Sequence, residues 1–173
     1  MTEQYGLMVA AFIPDLATVR RLLESGADPN ESNDGHTVLM EALQEPEKFF
    51  DDDSYAVVKL LIEAGADVDA ADREQRTPLH FAVCPGPRAV ALLLDAGANP
   101  NLKDADGLTP LHECVNFSAA EVARQLLAAG ADPSARDGDG KTAYERALLD
   151  ASEHPEDEDA VALRDLLGGA TAP

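Results

Sequence analysis

The sequence predicts an all-α solenoid of stacked helix–turn–helix units with β-turn fingers, and three observations carry that reading. Thr37, Thr77, Thr109 and Thr142 recur at spacings of 40, 32 and 33. Gly26, Gly65, Gly97 and Gly130 keep almost the same rhythm, at 39, 32 and 33. Between each threonine and its glycine lie two short runs rich in Ala, Leu and Val. Both counts give a unit of about 33 residues with one 7-residue insertion, in the second unit (40 against 33). Self-similarity at such a period marks a repeat array. One helical hairpin cannot bury both of its faces alone, so neighbours must stack.

The sharpest copies run from Asp72 to Asn101 and from Asp104 to Ser134. They open with Thr77-Pro78-Leu79-His80 and Thr109-Pro110-Leu111-His112 and close with Gly97-Ala98-Asn99-Pro100 and Gly130-Ala131-Asp132-Pro133. T-P-L-H-x-A at this period marks the ankyrin repeat. The chain resembles an ankyrin repeat protein over nearly its whole length. The resemblance implies one domain over 1–173, in five units of about 2–31, 32–70, 71–102, 103–135 and 136–168. Units 3 and 4 match closely, and units 1, 2 and 5 depart from the pattern.

Each element has a local cause. Thr77 and Thr109 are N-cap residues, and Pro78 and Pro110 stand in the first helical turn, where a missing N–H costs nothing. Leu79/Ala82/Val83 and Leu111/Cys114/Val115 give each first helix an apolar face at i, i+3, i+4. Val90, Leu93, Leu94 and Val122, Leu126, Leu127 do the same for the second helices. Gly97 and Gly130 end those helices in the left-handed conformation. In unit 1, Leu7 and Ala10 align with Leu111 and Cys114, and Asp15 caps a helix with Val19, Leu22 and Leu23 inward. In unit 2, Val38 replaces Pro and Met40 replaces His, and the insertion falls between the two helices, in Gln44 to Ser54. Its adjacent Phe49 and Phe50 are either an exposed anchor or a staple against the next repeat, and the staple is favoured because an unpartnered apolar loop tip is unfavourable in water. In unit 3, Gln75 stands where Gly usually ends the turn. In unit 5, Ala143, Tyr144 and Glu145 replace Pro, Leu and His. Ser152 to Asp159 is expected to split its helices, the last helix to run from about Asp157 to Leu167, and Gly168 to Pro173 to fray.

Composition narrows the function. Net charge is −20 with a pI of about 4.3, which disfavours nucleic acid and anionic membranes and suits either solubility or a basic partner. Aromatics are 5% and Trp is absent, in keeping with small, closely packed helices. Two cysteines, one at a core position, suggest reduced thiols and a cytoplasmic setting. The apolar stretch Leu7 to Ile13 follows Glu3 with no Lys or Arg before it, so it lacks the charged start of a signal peptide. No run is long enough to span a membrane. The Ala-rich, Asp- and Arg-containing composition points to a GC-rich bacterial source.

Nothing in the sequence reads as an active site. No zincin, paired-cysteine, nucleophile-elbow or phosphate-loop motif occurs. His80 and His112 lie 32 residues apart at one repeat position, where the resemblance implies a brace between neighbouring loops. The runs Asp51-Asp52-Asp53 and Glu156-Asp157-Glu158-Asp159 lack the spacing that wraps a calcium ion. The expectation is therefore no enzyme, no cofactor and no metal.

The resemblance implies a protein-binding module whose fingers and first helices form a concave surface. By alignment, unit 2 contributes His36, Glu41, Gln44 and Glu45, with Phe49 and Phe50 in its insertion. Unit 3 contributes Arg73, Glu74, Arg76 and Phe81. Lys103, Asp106, Leu108, Glu113, Asn116 and Phe117 come from unit 4, and Arg136, Asp139, Lys141 and Arg146 from unit 5. Arg and aromatic residues are the types enriched at hot spots. A monomer binding a partner protein is expected. The alternative is an acidic inhibitor or immunity-type protein that caps a basic enzyme or toxin.

Overall fold

Threonines start the first helix of successive repeats, and the third helical residue answers back in each. The computed structural model describes residues 6–44, 51–153 and 157–170. It divides the chain into two compact units, 1–98 and 99–173.

The first unit holds α1 (Leu7–Phe12), α2 (Leu16–Glu24), β1 (Ser32–Asn33), β2 (His36–Thr37), α3 (Val38–Glu41), α4 (Asp52–Glu63), α5 (Pro78–Ala82) and α6 (Pro87–Asp95). The second holds α7 (Pro110–Asn116), α8 (Ala120–Ala128), α9 (Ala143–Glu153) and α10 (Glu158–Ala170). β1 and β2 form one antiparallel pair, Ser32 opposite Thr37 and Asn33 opposite His36. Their turn is Asp34-Gly35, with φ of 55° and 85°, the two left-handed residues that a tight hairpin needs. Later fingers carry an aspartate where this one has Ser32, and they hold their shape without strand pairing.

The cap survives changes of chemistry. The Thr77 and Thr109 amides donate to Nδ1 of His80 and His112 at 3.1 and 3.2 Å. In unit 2 the sulfur of Met40 accepts from the Thr37 amide at 3.4 Å, and the Met40 amide donates to the Thr37 hydroxyl at 3.3 Å. In unit 5 the Glu145 carboxylate accepts from the Thr142 amide at 2.8 Å, and its own amide donates back to the hydroxyl at 3.2 Å. These are capping boxes. Nδ1 of His112 accepts, so the neutral ring carries its proton on Nε2, which donates to the Lys141 carbonyl at 3.2 Å. His112 thus ties its own cap to the next finger, the role that the resemblance implied.

Helix ends are equally uniform. Gly26, Gly65, Gly97 and Gly130 have φ of 91–93°. In each case the following alanine donates to the carbonyl five residues back, as Ala98 does to Leu93 at 3.0 Å and Ala131 to Leu126 at 2.9 Å. These are Schellman closures. Asparagines then stitch loop to loop within each unit. Asn30 donates to the Gly65 carbonyl and accepts from the Asp67 amide at 3.2 and 2.7 Å. Asn101 does the same with Gly130 and Asp132 at 3.0 and 2.7 Å.

The core follows the predicted faces. Leu7, Ala10, Leu79, Ala82, Leu111 and Cys114 are buried from the first helices, and Val19, Leu61, Leu93 and Leu126 from the second. Burial pushes the Cys114 thiol far up, while Cys84 is exposed.

α9 ends at Glu153 and α10 starts at Glu158, so the helices part within Ser152 to Asp159 as expected. Asp157 caps α10 at its expected start: its carboxylate accepts from the Asp159 and Ala160 amides at 3.0 and 3.2 Å. One expectation fails at the C-terminal end. α10 runs through Gly168 and Gly169 to Ala170, so this stretch is not a tail. A Cβ on Gly168 would lie 3.0 Å from Cε2 of Tyr144. The glycine therefore lets α10 approach that ring closely and does not end the helix. Residues 171–173 lie outside the described ones.

Two tests follow from this geometry. Gly107 has a φ of 77°, and a Cβ there would meet the Gly138 amide nitrogen at 2.8 Å, whereas Gly97, at 91°, has open space around it. Gly97→Ala should cost about 1 kcal/mol from backbone conformation alone, and Gly107→Ala about 3 kcal/mol from conformation plus clash, both read by urea denaturation. His112 supplies a pH test. Burial lowers its pKa, against the opposing pull of the Lys141 carbonyl and the Asp137 charge. Below about 6.5 the unfolded chain binds a proton that the fold resists. Stability should therefore fall as pH drops from about 6.5 toward the folded value. His112→Asn should be less stable at pH 7.5 and should remove part of that decline.

Candidate functional site

Charged side chains on the fingers are held by the turns beneath them. In the first unit, Asp72 is buried, and its Oδ1 accepts from the Glu74 and Arg76 amides, both at 2.9 Å. Its Oδ2 takes Nε and Nη2 of Arg76 at 3.0 and 2.9 Å. Gln75 stands at φ 60°, in the slot that Gly35, Gly107 and Gly140 fill elsewhere, a conformation that costs a side chain roughly 1 kcal/mol. Arg76 also meets Glu74 at 3.0 Å and lies 4.7 Å over the Phe81 ring. The His36 ring meets Phe81 edge-on at 5.3 Å, and its Nε2 is 3.0 Å from Glu41. That contact lacks the alignment of a hydrogen bond. Arg73 pairs with Asp34 at 2.6 Å.

His36, Glu41, Arg76 and Phe81, chosen from sequence separately, thus form one cluster around an aromatic ring. Gln44 is exposed, and its amide donates to the Glu41 carbonyl at 3.2 Å. Glu45, Phe49 and Phe50 lie outside the described residues.

The second unit repeats the turn twice. Asp104 accepts from the Asp106 and Leu108 amides at 3.0 and 2.8 Å, and Asp137 from those of Asp139 and Lys141, both at 2.9 Å. Asp137 draws its guanidinium from Arg146, nine residues on, which also reaches Asp139 at 3.5 Å. Lys103 donates to the Arg136 carbonyl at 2.7 Å, and Arg136 pairs with Glu145 at 3.1 Å. Asn116 donates to Glu113 at 2.9 Å, and Phe117 is 50% exposed.

Two hollows open on this surface. One, about 680 Å³, lies between fingers and is lined by Lys103, Asp106, Leu108, Asp139 and Arg146 among others. The other, about 430 Å³, lies between the end of α7 and α9, with Asn116, Ser118, Lys141, Arg146 and Leu149 in its wall. Leu149 and Ser118 were missed from sequence. A signal existed for Leu149: Ala143, Ala147 and Ala151 mark the buried face of α9, which turns Leu149 outward.

The acidic runs have local uses. Asp51 caps α4, accepting from the Ser54 amide at 2.8 Å, and Asp52 and Asp53 fill the first turn, where the helix dipole favours negative charge. Among the described residues, no three His, Cys, Asp or Glu side chains are grouped to hold a metal ion. No helix among them is long and apolar enough to cross a membrane.

Helical hairpins joined by capped fingers, with ordered charge on the fingers and no grouped reactive side chains among the described residues, define a repeat scaffold. A family model described as ankyrin repeats (3 copies) matches residues 7–104, 50–137 and 79–156. The chain belongs to the ankyrin repeat family, an all-α solenoid class whose members are generally protein–protein interaction modules and typically non-catalytic. A comparison with curated proteins finds no match.

Asp137 offers a direct test of the finger. Burial alone would raise its pKa, but the Lys141 amide, the Arg146 guanidinium and the Asp139 amide outweigh that and hold it below the usual carboxylate value. Its contribution is thus present above about pH 4 and lost as pH falls through the lowered folded value. Asp137→Asn should lose about 1–3 kcal/mol at pH 7 by urea denaturation, and its deficit against wild type should shrink as the buffer is taken toward pH 3.

Proposed function

We propose that the chain is a non-catalytic, cytoplasmic module that binds a partner protein through its finger tips and first helices. The observation that supports this most is pre-ordering. Finger side chains that a partner would meet are already fixed by ion pairs and buried turn carboxylates. Binding then sacrifices little side-chain freedom, which favours affinity. Exposed Phe117 and Arg73 are the types of residue that anchor interfaces.

A narrower reading has the chain as an acidic inhibitor that caps a basic enzyme or toxin. One observation favours it. Arg73, Arg76, Arg88, Arg124, Arg136, Arg146 and Arg164 all pair with carboxylates of the chain itself. Those pairs leave the excess of 33 carboxylates over 13 Lys and Arg without countercharge.

Affinity capture with the tagged full chain tests both. Wild type should retain a discrete partner that an uncharged ankyrin control does not. Phe117→Ser together with Arg73→Glu should weaken retention at least about 10-fold with stability held within about 0.5 kcal/mol, as for surface changes. Equal capture by the control would remove the interaction reading. The inhibitor reading adds that the on-rate falls steeply up to 0.15 M salt, where screening acts beyond about 8 Å. A flat on-rate would remove that narrower role.

A further inference from the structure

Cations are unevenly spread over the second unit. Lys103, Arg136, Lys141 and Arg146 sit on fingers and the helix that follows, while Arg124 and Arg164 lie on α8 and α10. Three of the first four are engaged: Lys103 on a carbonyl, Arg136 on Glu145, Arg146 on Asp137 and Asp139. The Lys141 ammonium has no hydrogen bond or ion pair with any described residue. Yet its backbone is pinned on both sides. Its amide donates to Asp137 at 2.9 Å, and its carbonyl accepts from the Asp137 amide at 2.9 Å and from His112 at 3.2 Å. A backbone fixed in this way carries an unpaired cation on the wall of the hollow between α7 and α9, which Asp150 also lines.

The rest of that hollow says what would meet it. Val115 and Leu149 supply an apolar wall, and Leu149 is 50% exposed. Ser118 holds a left-handed φ of 49°, unusual for a residue with a side chain, and donates to Asp157 at 3.3 Å. Asp157 is thereby occupied, since it also caps α10. Asp150 remains as the one lining carboxylate with no partner among the described residues, and a backbone N–H suits it.

We infer that this groove takes an extended segment of a partner protein, presenting an acidic side chain to Lys141 and an apolar one to Val115 and Leu149. The inference rests on the interaction reading above and deepens it. It assigns to this face an acidic segment, opposite in sign to what the net charge suggests.

Random peptides displayed on phage and selected on the immobilised full chain test it. Enriched peptides should share Asp or Glu beside Leu, Ile, Val or Phe. A synthetic consensus peptide should lose at least about 10-fold in affinity on Lys141→Glu and on Leu149→Asp, and keep most of it on Lys141→Arg, with circular dichroism unchanged. Enrichment of basic peptides, no enrichment, or a consensus indifferent to Lys141 and Leu149 would overturn the assignment. A partner captured by wild type that ignores both variants removes the groove and leaves the interaction role; capture of no partner removes the role itself.

Discussion

An aspartate at the base of each later finger sets the conformation on which the rest depends. Asp72, Asp104 and Asp137 each accept two amides of their own turn. Charge-assisted bonds of this kind are roughly twice as strong as neutral ones. They matter here because these fingers have no strand ladder: the one strand pair among the described residues is β1–β2, in the finger that lacks the aspartate. With the turn closed, the next threonine enters in extended conformation, its amide meets the third helical residue, and the first helix starts at a fixed angle. Finger side chains inherit that order. Arg76, held by Asp72, lies over Phe81, and Asp137 grips the amide of Lys141, which lines its hollow.

The departures from the repeat pattern show what the fold requires at each position. A cap needs an acceptor three residues into the helix, and imidazole, thioether and carboxylate all supply one, as His80, Met40 and Glu145 do. The finger aspartate needs a cation if its second oxygen is to be buried without loss, and Arg76 and Arg146 reach it from different places. The left-handed slot needs little beyond tolerance, and Gln75 bears the cost where the others are glycine. Units 2 and 5, degenerate by residue identity, are regular by function of the group.

Much of this was legible in the sequence. Period, helix caps, left-handed closing glycines and the buried faces all depend on local rules with one dominant outcome. The end of the last helix was not legible, because Gly168 reads as a stop until Tyr144 is known to lie against it. Nor were the ion pairs. With 33 carboxylates available, sequence cannot say that Arg146 chooses Asp137, nine positions back, while Arg76 chooses Asp72, four back. The asparagine stitches fell between these cases: Asn30 and Asn101 share the Gly-Ala-x-Pro-Asn position, a repeat signal whose meaning appears only when the next loop is alongside.

Net charge and the charge of a face are different quantities, and the difference follows from how the aspartates are used. Carboxylates that close turns or cap helices, such as Asp104, Asp137, Asp51 and Asp157, are committed to backbone amides. They count fully toward −20 yet have much of their bonding capacity turned inward. Coulomb forces across an interface act over about a Debye length and on charges that face the partner. A chain can therefore steer a basic surface from a distance and still hold an acidic side chain at one groove on contact. Long-range attraction and local recognition are set by different carboxylates, and selection can adjust one without moving the other.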